Sequence, residues 1–240
     1  MQVDIFSRTR QLIGDVAMNR LKASRVAVFG IGGVGGYAVE VLTRSGIGAI
    51  DLIDNDEVEP SNLNRQIIAL HSTIGRPKVE VAAERVHDIN PDCIVTIHQQ
   101  FYMPENADII DLALFDYVVD CIDTVTAKLE LIRRCKHIGV PIISSMGAAN
   151  KLDATAFRVA DISKTKVDPL AKVIRKRLRK EGITDLKVVY SEEEPLHPLT
   201  PVNEQVPDGR HTIPASCAFV PAAAGLIIGG EVIKGILSLS

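Results

Sequence analysis

No CxxC pair occurs anywhere in this chain of 240 residues, and its four cysteines, Cys93, Cys121, Cys135 and Cys217, stand far apart. That spacing indicates neither a zinc knuckle nor a disulfide framework, so reduced intracellular thiols are expected. Positive charge is not in excess either: the formal net charge is -3 at pH 7, and a sum of that sign predicts no strong overall attraction to nucleic acid. A local basic patch is still compatible with it, because the distribution of charge matters more than the total. There is no low-complexity tract, no internal repeat and no linker separating two independent units. The N-terminus, MQVDIFSRTR, carries charge where a secretory signal needs an apolar run, which points to the cytoplasm. Only the end, CAFVPAAAGLIIGGEVIKGIL, resembles a membrane span, and Glu231 and Lys234 interrupt it short of the roughly 20 clean apolar residues required. A helix packed in a core or a dimer interface is the expectation there, with peripheral membrane association as the alternative.

What is present is an alternation. Runs apolar on consecutive residues, RVAVFG (25–30), AIDLID (49–54), IVTIH (94–98), YVVDC (117–121) and PIISS (141–145), read as strands buried on both faces. Between them, YAVEVLTRSG (37–46), PKVEVAAERVHDI (77–89) and TAKLELIRRCKHIG (126–139) have helical periodicity, with proline at a start and glycine at ends. The order predicts right-handed crossovers and an α/β, Rossmann-like doubly wound sheet, mostly parallel, with helices on both faces. Beyond about residue 147, TAFRVADI (155–162) and LKVVYS (186–191) read as strands flanking the helix DPLAKVIRKRLRKEG (168–182). Residues 195–214 hold five prolines and read as a long loop. The expected organisation is one domain over 1–240, with a nucleotide-binding core at 24–147 and a C-terminal α/β portion at 148–240 for substrate and dimer contacts.

The segment FGIGGVGG (29–36) ends the first strand and opens a helix. A lone GxGxxG is no more than a tight turn, but Gly30, Gly32 and Gly35 have support from Asp54, an acid at the end of the second strand where ribose hydroxyls are bound. Gly33 adds a fourth glycine that lets the backbone approach a ligand. The residues after Asp54 do not suit a dehydrogenase. DNDEVEPSNLNRQ (54–66) brings Asp56, Ser61, Asn62, Arg65 and Gln66 directly after the ribose strand, and GRPK (75–78) adds Lys78. Two further cations at one crevice fit a triphosphate, whose charge must be neutralised as pyrophosphate leaves. In DCIDT (120–124), Asp120 and Asp123 fall at the carboxyl edge of the sheet, where Mg²⁺ accompanying ATP is held.

These pieces in this order, the glycine run, LIDNDEVEPSNLNRQ, GRPKVE, INP (89–91) and VVDCIDT, resemble the adenylating domain of the ubiquitin-activating-enzyme-like adenylyltransferase superfamily. The resemblance spans residues 26–124. It implies that the glycines, Asp54 and Asp56 serve nucleotide backbone and ribose, that Asn62, Arg65 and Lys78 hold phosphates, and that Asp123 faces Mg²⁺ and the adenylate. It also implies a homodimer in which an N-terminal arginine, Arg8 with Arg10 as runner-up, reaches the other protomer's site. Members of the sulfur-carrier branches usually have two CxxC pairs, which this chain lacks. Cys121 and Cys135 fall in a strand and a helix, where burial accounts for them. Cys93 follows a turn and has no evident activating partner. Cys217, placed before the last helix, is the best candidate nucleophile by position, since a helix N-terminus lowers a thiol pKa. No base is fixed beside it in sequence.

Nearly the whole chain is similar to a narrower family, the bacterial tRNA threonylcarbamoyladenosine dehydratases, through the glycine run, SSMGAANKLDATAFRVADISKTKVDPLAKVIRKRLRKEGI and CAFVPAAAGLIIGGEVIKGIL. That likeness implies ATP and Mg²⁺ as cofactors and, as substrate, tRNA carrying threonylcarbamoyladenosine. Its threonyl carboxylate is activated, and the neighbouring ureido nitrogen closes a cyclic hydantoin. A nucleophile already held beside the acyl carbon has a high effective concentration, so no enzyme thioester is needed. In DPLAKVIRKRLRKEG (168–182), Leu170, Val173, Ile174 and Leu178 have core spacing, leaving Lys172, Arg175, Lys176, Arg179 and Lys180 outward as candidate phosphate contacts for tRNA. A solvated charged face is the ordinary account of such a helix. Three other functions stay open at this point: an adenylyltransferase for a ubiquitin-like sulfur carrier, a non-catalytic ATP-binding partner in a sulfur relay, and an NAD oxidoreductase.

Overall fold

Side chains alternate across a strand, so a run of consecutive apolar residues has an apolar neighbour to meet on each face. In the computed structural model, which describes residues 4–200 and 214–239, seven such runs form one sheet. They are β1 (Arg25–Phe29), β2 (Ala49–Ile53), β3 (Ile94–His98), β4 (Tyr117–Asp120), β5 (Ile142–Ser145), β6 (Phe157–Asp161) and β7 (Lys187–Ser191). Their order is β3-β2-β1-β4-β5-β7-β6, and every neighbouring pair is parallel except β6 with β7. The helices are α1 (Ser7–Ala23), α2 (Gly35–Arg44), α3 (Lys78–Ile89), α4 (Val125–Ile138), α5 (Pro169–Lys180) and α6 (Phe219–Leu237). This is the expected doubly wound, mostly parallel α/β architecture. Residues 201–213, which fall in the stretch read as a long loop, lie outside the described residues.

Two cores occupy the two faces of the sheet. Val26 and Val28 of β1 point to one, with Leu42 of α2, Val86 of α3 and Ile228 of α6. Ala27 and Phe29 point to the other, with Ile132 of α4 and Ile174 of α5. Each buried Val, Leu or Ile is worth about 1.5–3 kcal/mol relative to exposure. The apolar run at the C-terminus, long and apolar enough to cross a membrane by length and composition, is a core helix here. A Cβ added at Gly225 of α6 would stand 2.2 Å from the Val34 carbonyl oxygen, and one at Gly229 would stand 2.5 Å from Val41. Only glycine permits that approach to α2.

Two readings of the sequence need correction. β3 is not buried on both faces: Ile94 is 69% and Ile97 45% exposed. It is an edge strand paired only to β2, and because Ile94 and Ile97 fall on opposite faces, neither face is fully covered. The N-terminal segment, read for its charge and its arginines but for no secondary structure, forms the helix α1. Its periodicity is weak because only Met18 and Leu21 are buried, and Gly14 (φ 80°, ψ 170°) breaks it inside.

Candidate adenylation site

The strand order reverses between β1 and β4, and such a reversal opens a crevice at the carboxyl ends of the strands. Two loops meet there. Gly30, at φ 87°, packs so tightly on the loop after β4 that a Cβ would stand 2.6 Å from the Cys121 carbonyl oxygen. Gly35 lies over Gly30, where a Cβ would be 1.8 Å from the Gly30 carbonyl oxygen. These glycines are fixed by packing of protein on protein. α2 starts at Gly35 with no side-chain cap; its Gly36 N–H donates to the Gly32 carbonyl oxygen at 3.0 Å, and the helix dipole favours an anion at this end.

Asp54 ties the second strand to this floor. Its Oδ2 accepts from the Ile31 N–H at 2.6 Å and its Oδ1 from the Asp56 N–H at 2.8 Å. Burial pushes its carboxyl above the ordinary value, against the opposing pull of the nearby Lys78 ammonium. Lys78 itself is buried and its Nζ donates to Asp56 Oδ2 at 2.7 Å. The two candidates therefore hold each other, and Lys78 does not stand as an unpaired cation. Arg65 is different. Its guanidinium, half-buried, donates to the Ser61 carbonyl oxygen and to Asn64 Oδ1, both at 2.9 Å. Both acceptors are neutral, and burial lowers the guanidinium pKa, so an anion there would relieve a poorly solvated charge. Arg65 Cγ would lie 3.4 Å from a Cβ on Gly33, and Gln66 Nε2 lies 3.9 Å from the corresponding point at Gly32. Gln66 Oε1 is buried without a partner among the described residues. Asn62 is buried in the turn at 59–62, where its Oδ1 accepts from the Glu59 N–H at 3.2 Å.

Asp123 is exposed on the loop after β4 and accepts from Thr124 Oγ1 at 3.4 Å. Asp120 is not beside it as a second Mg²⁺ ligand, contrary to the sequence reading. As the last residue of β4 it is fully buried and paired to Lys128 Nζ at 2.8 Å. No cluster of three or more His, Cys, Asp or Glu suited to a metal ion occurs among the described residues. Mg²⁺ bound with a nucleotide needs only one or two carboxylates besides the phosphates, and Asp123 fits that requirement. Lys128 went unremarked in the sequence, although it shares the buried stripe of α4 with Leu131, Ile132 and Cys135. A lysine at that register was the available signal.

Arg8 is exposed in the first turn of α1 and has no hydrogen-bond or ion-pair partner among the described residues. Arg10, the runner-up, is bound to Asp4 at 2.8 Å and to Asp15 at 2.6 Å. Burial pushes the Cys93 thiol up to about 11 and those of Cys121 and Cys135 up to about 12, so all three stay protonated at neutral pH. Cys217 precedes α6, and its Sγ lies 3.7 Å from the Lys151 carbonyl oxygen.

On α5, Ala171, Ile174 and Leu178 face the core. Lys172, Lys176, Arg177, Arg179 and Lys180 are exposed. Two assignments change: Val173 is 41% exposed, and Arg175 is turned inward, its guanidinium donating to the Thr165 carbonyl oxygen at 2.9 Å and to the Thr165 hydroxyl. The buried face is offset by one residue, which moves Arg175 to its border.

The ThiF family model matches residues 6–239. The chain belongs to the ThiF family. Among curated ThiF-type relatives, it is 47% identical over 240 residues to the tRNA threonylcarbamoyladenosine dehydratase of Bacillus subtilis, covering 97% of this chain and 94% of that protein. The Escherichia coli protein of the same name is 40% identical over 201 residues, covering 80% of this chain and 75% of that one. Among solved structures, that of the E. coli tRNA N6-threonylcarbamoyladenosine dehydratase TcdA in complex with ATP superposes with a TM-score of 0.87 at 35% identity, covering 97% of this chain and 93% of that one.

Proposed function

We propose that this chain is an ATP-dependent tRNA threonylcarbamoyladenosine dehydratase, acting on the modified adenosine next to the anticodon. The observation that carries the reading is Arg65, half-buried against neutral acceptors beside the glycine loop and the uncapped start of α2, in a chain similar over its length to proteins of that name. The threonyl carboxylate oxygen attacks the α-phosphorus and pyrophosphate leaves. The ureido nitrogen then attacks the acyl carbon and loses its proton, and AMP leaves with the former carboxylate oxygen. The nucleoside has then lost one water.

In this reading the N–H groups of the glycine loop and α2 seat the phosphates, and Asp54 orients the ribose. Arg65 and Lys78 hold the phosphates from one protomer and Arg8 from a second copy, since opposite charge placed where the leaving group develops it favours departure. Mg²⁺ accompanies ATP at Asp123 and supplies further charge neutralisation there. The exposed bases of α5 contact tRNA phosphates, in a chain that works where tRNA does. The ring closure calls for no thiol, and three of the four are held protonated by burial.

The test supplies the protein with ATP, Mg²⁺ and tRNA carrying threonylcarbamoyladenosine, and monitors the nucleoside by mass spectrometry. Loss of one water is expected for the wild type and for Cys217→Ala, and its abolition for Arg65→Ala. AMP release driven by a small carrier protein ending in Gly-Gly, with no change in the tRNA, would instead identify a carrier adenylyltransferase.

A further inference from the structure

Lys128 is fully buried beneath the carboxyl ends of β4 and β5. Its ammonium spends all three donors: on Asp120 Oδ2 at 2.8 Å, Ser144 Oγ at 3.1 Å and the Ser145 carbonyl oxygen at 3.0 Å. Asp120 Oδ2 also accepts from Ser144 Oγ at 2.5 Å, while Asp120 Oδ1 accepts from the Ile122 N–H at 3.1 Å. A fully desolvated ion pair contributes little net stability, and an apolar pair of the same volume often serves as well. The arrangement does, however, orient one short turn. On the other side of that turn, the Cys121 N–H donates to the Phe29 carbonyl oxygen at 2.8 Å, and Gly30 packs on the Cys121 carbonyl. The turn is thus clamped between the glycine floor and the buried pair, and it carries Asp123.

We infer that Lys128 is a positioning residue: through Asp120 it fixes the turn that sets Asp123 against the glycine loop, without touching substrate itself. The inference rests on the reading of Asp123 as a nucleotide-facing group. Lys128→Met alone strands the Asp120 charge and should lower stability, so the informative variants are Lys128→Met/Asp120→Leu, which removes both charges, and Ser144→Ala, which removes one hydrogen bond.

Thermal melting, amide exchange at residues 120–124, KM for ATP and kcat with the modified tRNA are measured on each. The double variant is expected to melt close to the wild type, to exchange faster at 120–124, and to lose kcat on the order of a hundredfold with KM for ATP little changed, as for a misplaced group. Ser144→Ala should show the same pattern with about a tenfold loss. Wild-type kcat or wild-type exchange in the double variant overturns the inference. If the double variant does not fold, the same two outcomes in Ser144→Ala decide it. Should the wild type fail to dehydrate tRNA, the functional reading fails, and exchange at 120–124 still decides whether Lys128 holds the turn.

Discussion

Asp54 illustrates at the scale of one residue how a site is held at the expense of the fold. Its two oxygens accept from the Ile31 and Asp56 N–H groups, yet burial raises its pKa, so ionisation in the folded state is costlier than in the unfolded chain. A carboxyl raised in this way binds protons more tightly when folded, and stability therefore falls as pH rises through its titration range. Asp54→Asn removes the charge but keeps only one of the two acceptors, leaving one backbone N–H opposite an amide NH2. It should melt below the wild type at neutral pH, and the deficit should grow as the solution is made acidic and Asp54, once protonated, no longer carries the cost of a buried charge. The same substitution should weaken ATP binding about tenfold or more through loss of a charged acceptor for the ribose. Parallel melts across pH and calorimetric titration with ATP check both. A deficit that shrank in acid would refute the raised carboxyl pKa.

At the scale of elements, α5 separates its exposed bases from the one that braces the helix. Lys172, Lys176 and Arg179 are outward, whereas Arg175 is tied to Thr165. Replacing the three outward residues by glutamate should raise KM for tRNA at least about tenfold and reduce its salt dependence, since each lost phosphate contact releases fewer counterions. ATP affinity should be unchanged. Arg175→Ala should affect stability and leave the salt dependence alone; a drop in that dependence equal to the outward set would refute the division. The same helix marks how far the sequence was legible. Its existence and its basic character were readable from spacing and composition, as were all seven strands. Which side Arg175 takes was not, because a border residue is settled by one acceptor on a neighbouring turn. Asp120 was misplaced for a related reason. Its position at a strand end was clear, but its partner Lys128 lies on a helix, and only packing brings the two together. Edge position hid the exposure of β3 in the same way, since pairing order is a property of the sheet and not of the strand.

The whole molecule leaves one expected participant in the chemistry without a place in its own site. Arg65, Asp54 and the glycine loop converge at the β1–β4 crevice, while Arg8 sits exposed at the start of α1 with no partner among the described residues. If a second copy receives Arg8, the unit of activity is the dimer, and the two protomers need not both be whole. Arg8→Ala and Asp123→Ala should each be inactive alone. In a mixed dimer, one site combines Asp123 of the first variant with Arg8 of the second and is complete, while the other lacks both. Equal co-expression gives mixed dimers in half of the population with one working site each, so about a quarter of wild-type turnover should return. The measurement is tRNA dehydration by the co-expressed pair against each variant alone. No recovery, with mixed dimers confirmed by native mass spectrometry, would confine Arg8 to its own protomer and remove it from the proposed site.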